Sequence, residues 1–129
     1  MFGSDIIRVK VKGFLRNITE DDNIFFDEKG ILNNNKINFI CDNVKYSIKY
    51  SNSEVIVIRE GNDFINTFIF NIKKSISSYT LKDNNYTIEM NVKVENINIG
   101  NDYIYVKYII IDTDCVYEYK IEMSEILWV

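Results

Sequence analysis

Residues 86–95 read YTIEMNVKVE, with an apolar side chain at every second position. Because successive side chains of a β-strand point to opposite faces, this alternation predicts a strand with one face in a core and the other in water. The same period of two runs through residues 7–12, 44–51 and 117–123. The chain has no Ala and only four Leu, so little or no helix is expected.

Asn and Asp interrupt the alternation at short intervals. Both residues tolerate positive φ and bond their own backbone, so they suit tight hairpin turns. The predicted strands are 5–16, 24–33, 36–41, 44–50, 54–60, 64–70, 78–82, 86–95, 103–111 and 115–126. Residues 71–78 are left open as a loop, a short helix or an irregular strand.

Eight to ten antiparallel strands in so short a chain tend to close into a barrel or pack as a sandwich, which removes the sheet edges. The 129 residues correspond to one domain, and no linker or repeat divides them. We therefore predict an all-β fold over residues 1–129: a single antiparallel, mostly up-and-down barrel.

Composition excludes much of enzyme chemistry. The chain has no His, so Ser-His and Cys-His nucleophile pairs and His-ligated zinc are ruled out. Cys41 and Cys115 form no CxxC pair, and neither is predicted to be a nucleophile. We predict no catalytic residue, no metal site and no cofactor; enzymatic activity stays open but ranks last.

Charge and hydropathy bear on partners and location. The net charge is −4 and only three cations are Arg, so no nucleic-acid partner is predicted. The strip formed by Arg8, Lys10 and Lys12 is interpreted as a solvated outer face. No signal peptide and no membrane-spanning run are visible, so we expect a cytoplasmic protein without membrane contact.

Several segments resemble the YwiB-like family of small bacterial proteins of unknown function. Residues 44–50 and 54–61, VKYSIKY and EVIVIREG, are similar to one hairpin of that family. The hairpin beginning at Gly30, residues 78–95, and residues 102–122 are similar to its other parts. The resemblance covers about residues 6–122. It implies a calycin-like, or lipocalin-like, β-barrel, and it implies no substrate, cofactor or catalytic residue.

Arg59 is the first candidate for a binding residue. By alternation it shares a face with Val55 and Val57, and the sequence does not decide which face of residues 54–60 points into the barrel. An inward guanidinium requires a partner, because an unpaired buried charge is unfavourable. That partner is a carboxylate at the barrel rim in one interpretation and a ligand anion in the other. The carboxylates considered are Glu28, Glu89 and Glu118.

Tyrosines form the second candidate set, because hydroxyls inside a barrel can orient an amphipathic ligand. With Arg59, the predicted ligand-binding residues are Tyr46, Tyr86, Tyr103, Tyr105, Tyr117 and Tyr119. The alternative is that these rings only fill the core, as side chains do in small barrels.

The sequence thus favours a non-enzymatic binding module for a small apolar or amphipathic ligand. The alternative is a structural or protein-interaction module without a ligand cavity, including a homodimer. For that alternative, Leu127 and Trp128 in the apolar C-terminal segment are the predicted interface residues.

Overall fold

The alternating segments form strands in the computed structural model, which describes residues 6–126. The strands are β1 (Ile6–Asn17), β2 (Asp22–Asn33), β3 (Lys36–Cys41), β4 (Val44–Tyr50), β5 (Glu54–Glu60), β6 (Phe64–Asn71), β7 (Ser75–Leu81), β8 (Tyr86–Ile99), β9 (Tyr103–Ile110) and β10 (Cys115–Glu125). Each strand pairs antiparallel with the next, and β1 pairs with β10. The predicted all-β, up-and-down antiparallel barrel is confirmed, with ten strands.

Alternation places one side of every strand in the core. On β5, Val55 and Val57 are buried and Ile58 is exposed, so the face that carries Arg59 points inward. At one end of the barrel the rings of Phe26, Phe39 and Tyr46 pack together with centroid distances of 4.9–5.2 Å. The interior is therefore filled largely by apolar and aromatic side chains of the barrel itself.

Asn and Asp form the turns, as predicted from their tolerance of positive φ. Every non-glycine residue with positive φ in the described part of the chain is Asn or Asp. In the β2–β3 and β3–β4 turns, both central residues have positive φ: Asn34 and Asn35, then Asp42 and Asn43. This is the pattern of a type I′ hairpin turn, whose twist matches that of the strands.

Two strand ends differ from the predicted bounds by three residues or more, and the other ends agree within two residues. Residues 72–74 form the turn before β7, which begins at Ser75 instead of residue 78. The inward residues Ser75 and Ser77 are polar, so a search for alternating apolar residues did not find this part of the strand. β8 continues to Ile99 beyond the predicted end at residue 95, with a register shift between Val94 and Asn96.

Two hairpins, β1–β2 and β7–β8, extend beyond the neighbouring strands β3 and β9 at the same end of the barrel. Pairing of β8 with β9 begins at Val92, and the N–H of Ile111 donates to the carbonyl oxygen of Asn91, so residues 86–90 pair with β7 alone. Pairing of β2 with β3 stops at Gly30, so residues 22–29 pair with β1 alone. The described residues contain no helix of the kind that crosses a membrane.

Candidate functional site

A groove of about 720 Å³ crosses the outer face of β1 to β5. Strand register builds its first row from Arg8, Ile31, Asn38, Ser47 and Ile58, each opposite the next. The second row consists of Lys29, Ile40, Lys45 and Glu60. We call these two rows the outer groove. Asn38 and Ser47 have the shortest side chains at its middle, and longer side chains flank them.

The apolar part of the outer groove consists of three isoleucines that face solvent: Ile31, Ile40 and Ile58. Ile40 is 56% exposed, although it lies in the middle of a regular strand. Three cations, Arg8, Lys29 and Lys45, lie beside them. Exposed apolar side chains grouped in a concave surface are the usual composition of a binding site.

Among residues 6–126, one carboxylate lines the outer groove, and it is already paired. Glu60 Oε2 accepts a hydrogen bond from Lys82 Nζ at 2.7 Å. That hydrogen bond and the charge of Lys82 lower the pKa of Glu60 below its usual range. The outer groove is therefore a local positive region on a chain whose net charge is −4.

One end of the outer groove is formed by the last described residue. The backbone N–H of Ile126 donates to the carbonyl oxygen of Arg8 at 2.9 Å, and Ile126 lines the groove. Leu127 and Trp128, the predicted interface residues, lie outside the described residues.

Arg59 forms a second polar feature, inside the barrel. Its Nε donates to the hydroxyl of Tyr46 at 3.3 Å, and its Nη1 donates to Asn66 Oδ1 at 3.4 Å. Its guanidinium carbon lies 5.4 Å from the ring centroid of Tyr46 and 5.8 Å from that of Phe64. Asn66 is held in place because its Nδ2 donates to the carbonyl oxygen of Ser78 at 2.9 Å.

The ion pair considered for Arg59 is not formed within residues 6–126. Their salt bridges include none to Arg59, and Glu118 pairs with Arg16 at 3.6 Å instead. Glu118 also accepts a hydrogen bond from the hydroxyl of Tyr105, on the outer side of the barrel. Burial and this bond to Glu118 raise the pKa of Tyr105 to about 12.

The predicted tyrosines divide between the two sides of the barrel. Tyr46, Tyr117 and Tyr119 point inward with Arg59. Tyr103 and Tyr105 point outward, because the buried positions of β9 are Ile104, Val106, Tyr108 and Ile110. Tyr86 is exposed at the start of β8, in the part that has no β9 partner. The seven predicted residues therefore do not form one site.

Aromatic packing fills the space around the inward tyrosines. Tyr108 lies 4.6 Å from Phe70 and 5.2 Å from Tyr117, measured between ring centroids. Burial raises the pKa values of Tyr108 and Tyr119 above the ordinary phenol range, so both stay protonated into alkaline pH. No cluster of acidic or thiol side chains in the described residues is arranged to hold a metal ion.

The sequence did not identify the isoleucines of the outer groove. Ile58 belongs to a strand that is apolar on both faces, and Ile31 follows a glycine, so alternation alone did not mark either as exposed. Only the strand register brings residues of five strands into two rows.

The described residues thus form a small, closed, ten-stranded antiparallel barrel with a packed interior. The chain is similar to the crystal structure of the YwiB protein from Bacillus subtilis, with 19% sequence identity and a TM-score of 0.64. The match covers 96% of this chain and 94% of that one. It confirms, at the level of the fold, the YwiB-like barrel that the sequence resemblance implied. No protein-family model and no curated protein matches the chain.

Proposed function

We propose that the protein is a non-enzymatic binding protein that holds a small amphipathic anion in the outer groove. The observation that carries this proposal is the grouping of three exposed isoleucines with three cations in one concave surface. The apolar part of the ligand lies on Ile31, Ile40 and Ile58, and its anionic group lies near Lys29 and Lys45. We also propose that the protein is cytoplasmic and consists of a single domain with a calycin-like barrel.

The size and charge of the outer groove support this class of ligand. A volume of about 720 Å³ is in the range of small-molecule sites, which run from about 300 to 1,000 Å³. Lys82 neutralises Glu60, so the charge that the ligand meets is positive. Apolar and aromatic side chains fill the core, so we place a ligand with an apolar chain on the outer face; the sequence had suggested the interior of the barrel.

A titration with sodium decanoate tests the proposal. We expect saturable binding of decanoate by isothermal titration calorimetry, weaker binding of 1-decanol, and no acetate binding that depends on Ile40 or Lys45, because the outer groove needs both an apolar chain and a charge. Ile40→Ser is expected to weaken decanoate binding about tenfold, from the apolar contact that it removes. Lys45→Gln is expected to weaken it severalfold and to leave decanol unchanged.

Two matched variants control this experiment. Ile72 is an isoleucine on the β6–β7 turn, 76% exposed, so Ile72→Ser makes the same change outside the outer groove. Lys49 is an exposed lysine of the same strand as Lys45, but it does not line the groove. Both Ile72→Ser and Lys49→Gln are expected to bind decanoate as the unaltered chain does. Equal losses in these controls, or no saturable binding, would contradict the proposal.

A protein-interaction module is the second candidate, and the N-terminal part of β8 favours it. Among the described residues, 86–90 have no strand partner on the β9 side, and Leu81, Tyr86 and Ile88 are exposed there. An unpaired strand edge with apolar side chains is a surface on which a second strand can pair. A homodimer through this edge predicts a dimer by light scattering that Ile88→Glu dissociates and Ile72→Glu does not. A monomer at every concentration would remove the homodimer.

A further inference from the structure

Arg59 has hydrogen-bonding capacity that the barrel does not use. A guanidinium carries five N–H donors, and two of them are engaged here, at 3.3 and 3.4 Å. Both acceptors are neutral oxygens, of Tyr46 and Asn66, and both distances exceed the roughly 2.7–2.9 Å that is typical of a bond to a carboxylate. Three donors of a half-buried cation thus remain for another acceptor.

The electrostatic surroundings of Arg59 are also incomplete. Although burial lowers the pKa of Arg59, that pKa lies above its ordinary value, so the guanidinium is charged at physiological pH. The surrounding phenols of Tyr46, Tyr108 and Tyr119 are neutral at that pH, and burial raises their pKa values further, so they supply no compensating charge. No carboxylate of the described residues lies within 4.0 Å of the guanidinium, so none of them compensates its charge directly.

An independent observation concerns Tyr119, whose ring centroid lies 6.2 Å from that of Phe68, on the same inward face of β6 as Asn66, the hydrogen-bond partner of Arg59. Tyr119 is 1% exposed, and its hydroxyl has no hydrogen-bond partner among the described residues. A buried hydroxyl without a partner is rare, because removing it from water is unfavourable. A charged donor and a free hydroxyl therefore lie in one part of the barrel interior.

We propose that Arg59 and Tyr119 form an internal site for a small oxyanion, a carboxylate or a phosphate. The guanidinium donates through its unused N–H groups, and the Tyr119 hydroxyl donates to another oxygen of the same anion. The anion enters at the end of the barrel that carries the β5–β6 turn, where Arg59 is partly exposed. Tyr46, which accepts a hydrogen bond from Arg59, also lines the outer groove, but Arg59 and Tyr119 do not, and this site does not rest on the function proposed for the groove.

The Nε–Hε region of a nitrogen-15 spectrum tests the site directly, since the chain has only three arginines. Arg59 reports on the internal site, Arg8 reports on the outer groove, and Arg16 is a reference. At constant ionic strength, inorganic phosphate and, separately, acetate are expected to move the Arg59 signal to a plateau and to leave Arg8 and Arg16 in place. Arg59→Lys assigns the signal.

Tyr119→Phe is expected to weaken the effect of phosphate on Arg59 about tenfold, because a hydrogen bond to a charged group is lost. Tyr105→Phe is the matched control, since the Tyr105 hydroxyl bonds to Glu118 on the outer side, and it is expected to bind phosphate normally. An Arg59 signal that neither anion moves would overturn the proposal. So would three arginine signals that drift together without a plateau, since that result shows only screening.

A decanoate arm separates this site from the proposed function. If Arg59 responds to decanoate as it does to acetate, the oxyanion can also come from the head group of an amphipathic ligand, and the internal site is supported. If decanoate moves Arg8 alone while phosphate moves Arg59, two independent sites are supported. Failure of Arg8 to respond to decanoate counts against the outer groove and leaves the phosphate result on Arg59 standing.

Discussion

Gly13 lies in β1 between two paired strands, opposite Phe26 of β2 and Ile121 of β10. Its φ is 154°, which is a conformation that residues with a side chain rarely adopt. A Cβ atom at this position would lie 1.7 Å from the carbonyl oxygen of Lys120 and 2.7 Å from its carbonyl carbon. Because both atoms belong to the backbone of β10, no rotation of a side chain relieves the contact.

Gly13→Ala is therefore expected to destabilise the protein by about 3 kcal/mol or more, since β1 and β10 must separate locally. The free energy of unfolding in urea measures this loss. Gly100→Ala is the matched control, because the nearest atom to its added Cβ is Tyr103 Cβ at 3.8 Å, an ordinary contact. Its expected effect is within about 0.5 kcal/mol. Similar losses in the two variants would refute this account of Gly13.

At the scale of elements, hairpins whose turns contain Asn and Asp build the barrel. The β3–β4 turn consists of Asp42 and Asn43, with φ of 52° and 64°. Glycine is the favoured second residue of a type I′ turn, because it has no Cβ to resist positive φ. The Asn-rich turns therefore form the correct geometry but are not the most stable choice for it.

Asn43→Gly is expected to stabilise the protein by about 0.5 kcal/mol, which raises the midpoint of thermal unfolding by about 2–3 °C. Asn62→Gly, in the β5–β6 turn, is the control of opposite sign. Asn62 does not have positive φ, so glycine there only adds freedom to the unfolded chain and is expected to lower the midpoint. A midpoint that falls in both variants would contradict the interpretation of the β3–β4 turn.

The positions of the strands were predictable from the sequence, but the face of a strand that points into the barrel was not always predictable. The bounds of β3, β4 and β5 match the predicted segments, because turn residues flank each of these short segments on both sides. In β9, tyrosines and aliphatic residues alternate, so both faces are apolar enough for the core. The pairing of β9 with β10 determines which face of β9 points into the core, and it places Tyr103 and Tyr105 on the outer face.

The same limit applies to the candidate site. The sequence singled out Arg59 as unusual but did not show which face of β5 points inward, because Val and Ile occupy alternate positions. The outer groove combines residues from five strands, and its isoleucines become one surface only when the register of all five is known. Local periodicity carries no information about such lateral neighbours.

At the scale of the whole molecule, the distribution of titratable groups sets the response to pH. The chain has no His, so no side chain with an ordinary pKa titrates between about pH 6 and 8. Burial, followed by the charges of Asp42 and Glu28, raises the pKa of Cys41 to about 11. Burial also raises the pKa of Tyr50 and Tyr117, in addition to the inward phenols described above.

These shifts predict a flat stability profile near neutral pH and a steep loss in alkali. In the unfolded chain the thiol and phenols release their protons near their ordinary pKa values of about 8.5 and 10. The folded protein still holds them there, so it binds more protons than the unfolded chain, and the free energy of unfolding falls as pH rises. The stabilising contribution is complete below about pH 8.5 and is lost as the pH approaches the raised values of the folded state.

Urea unfolding at a series of pH values tests this. We expect the free energy of unfolding to vary by no more than about 0.5 kcal/mol from pH 6 to 8 and to fall by about half by pH 11. Tyr119→Phe removes one fully buried phenol from the set that titrates, so its alkaline slope is expected to be shallower by about one proton per molecule. Tyr86→Phe is the control, because Tyr86 is exposed, and its slope should equal that of the unaltered chain. A stability that stays level past pH 10, or equal slopes for Tyr119→Phe and Tyr86→Phe, would show that the buried phenols do not govern alkaline unfolding.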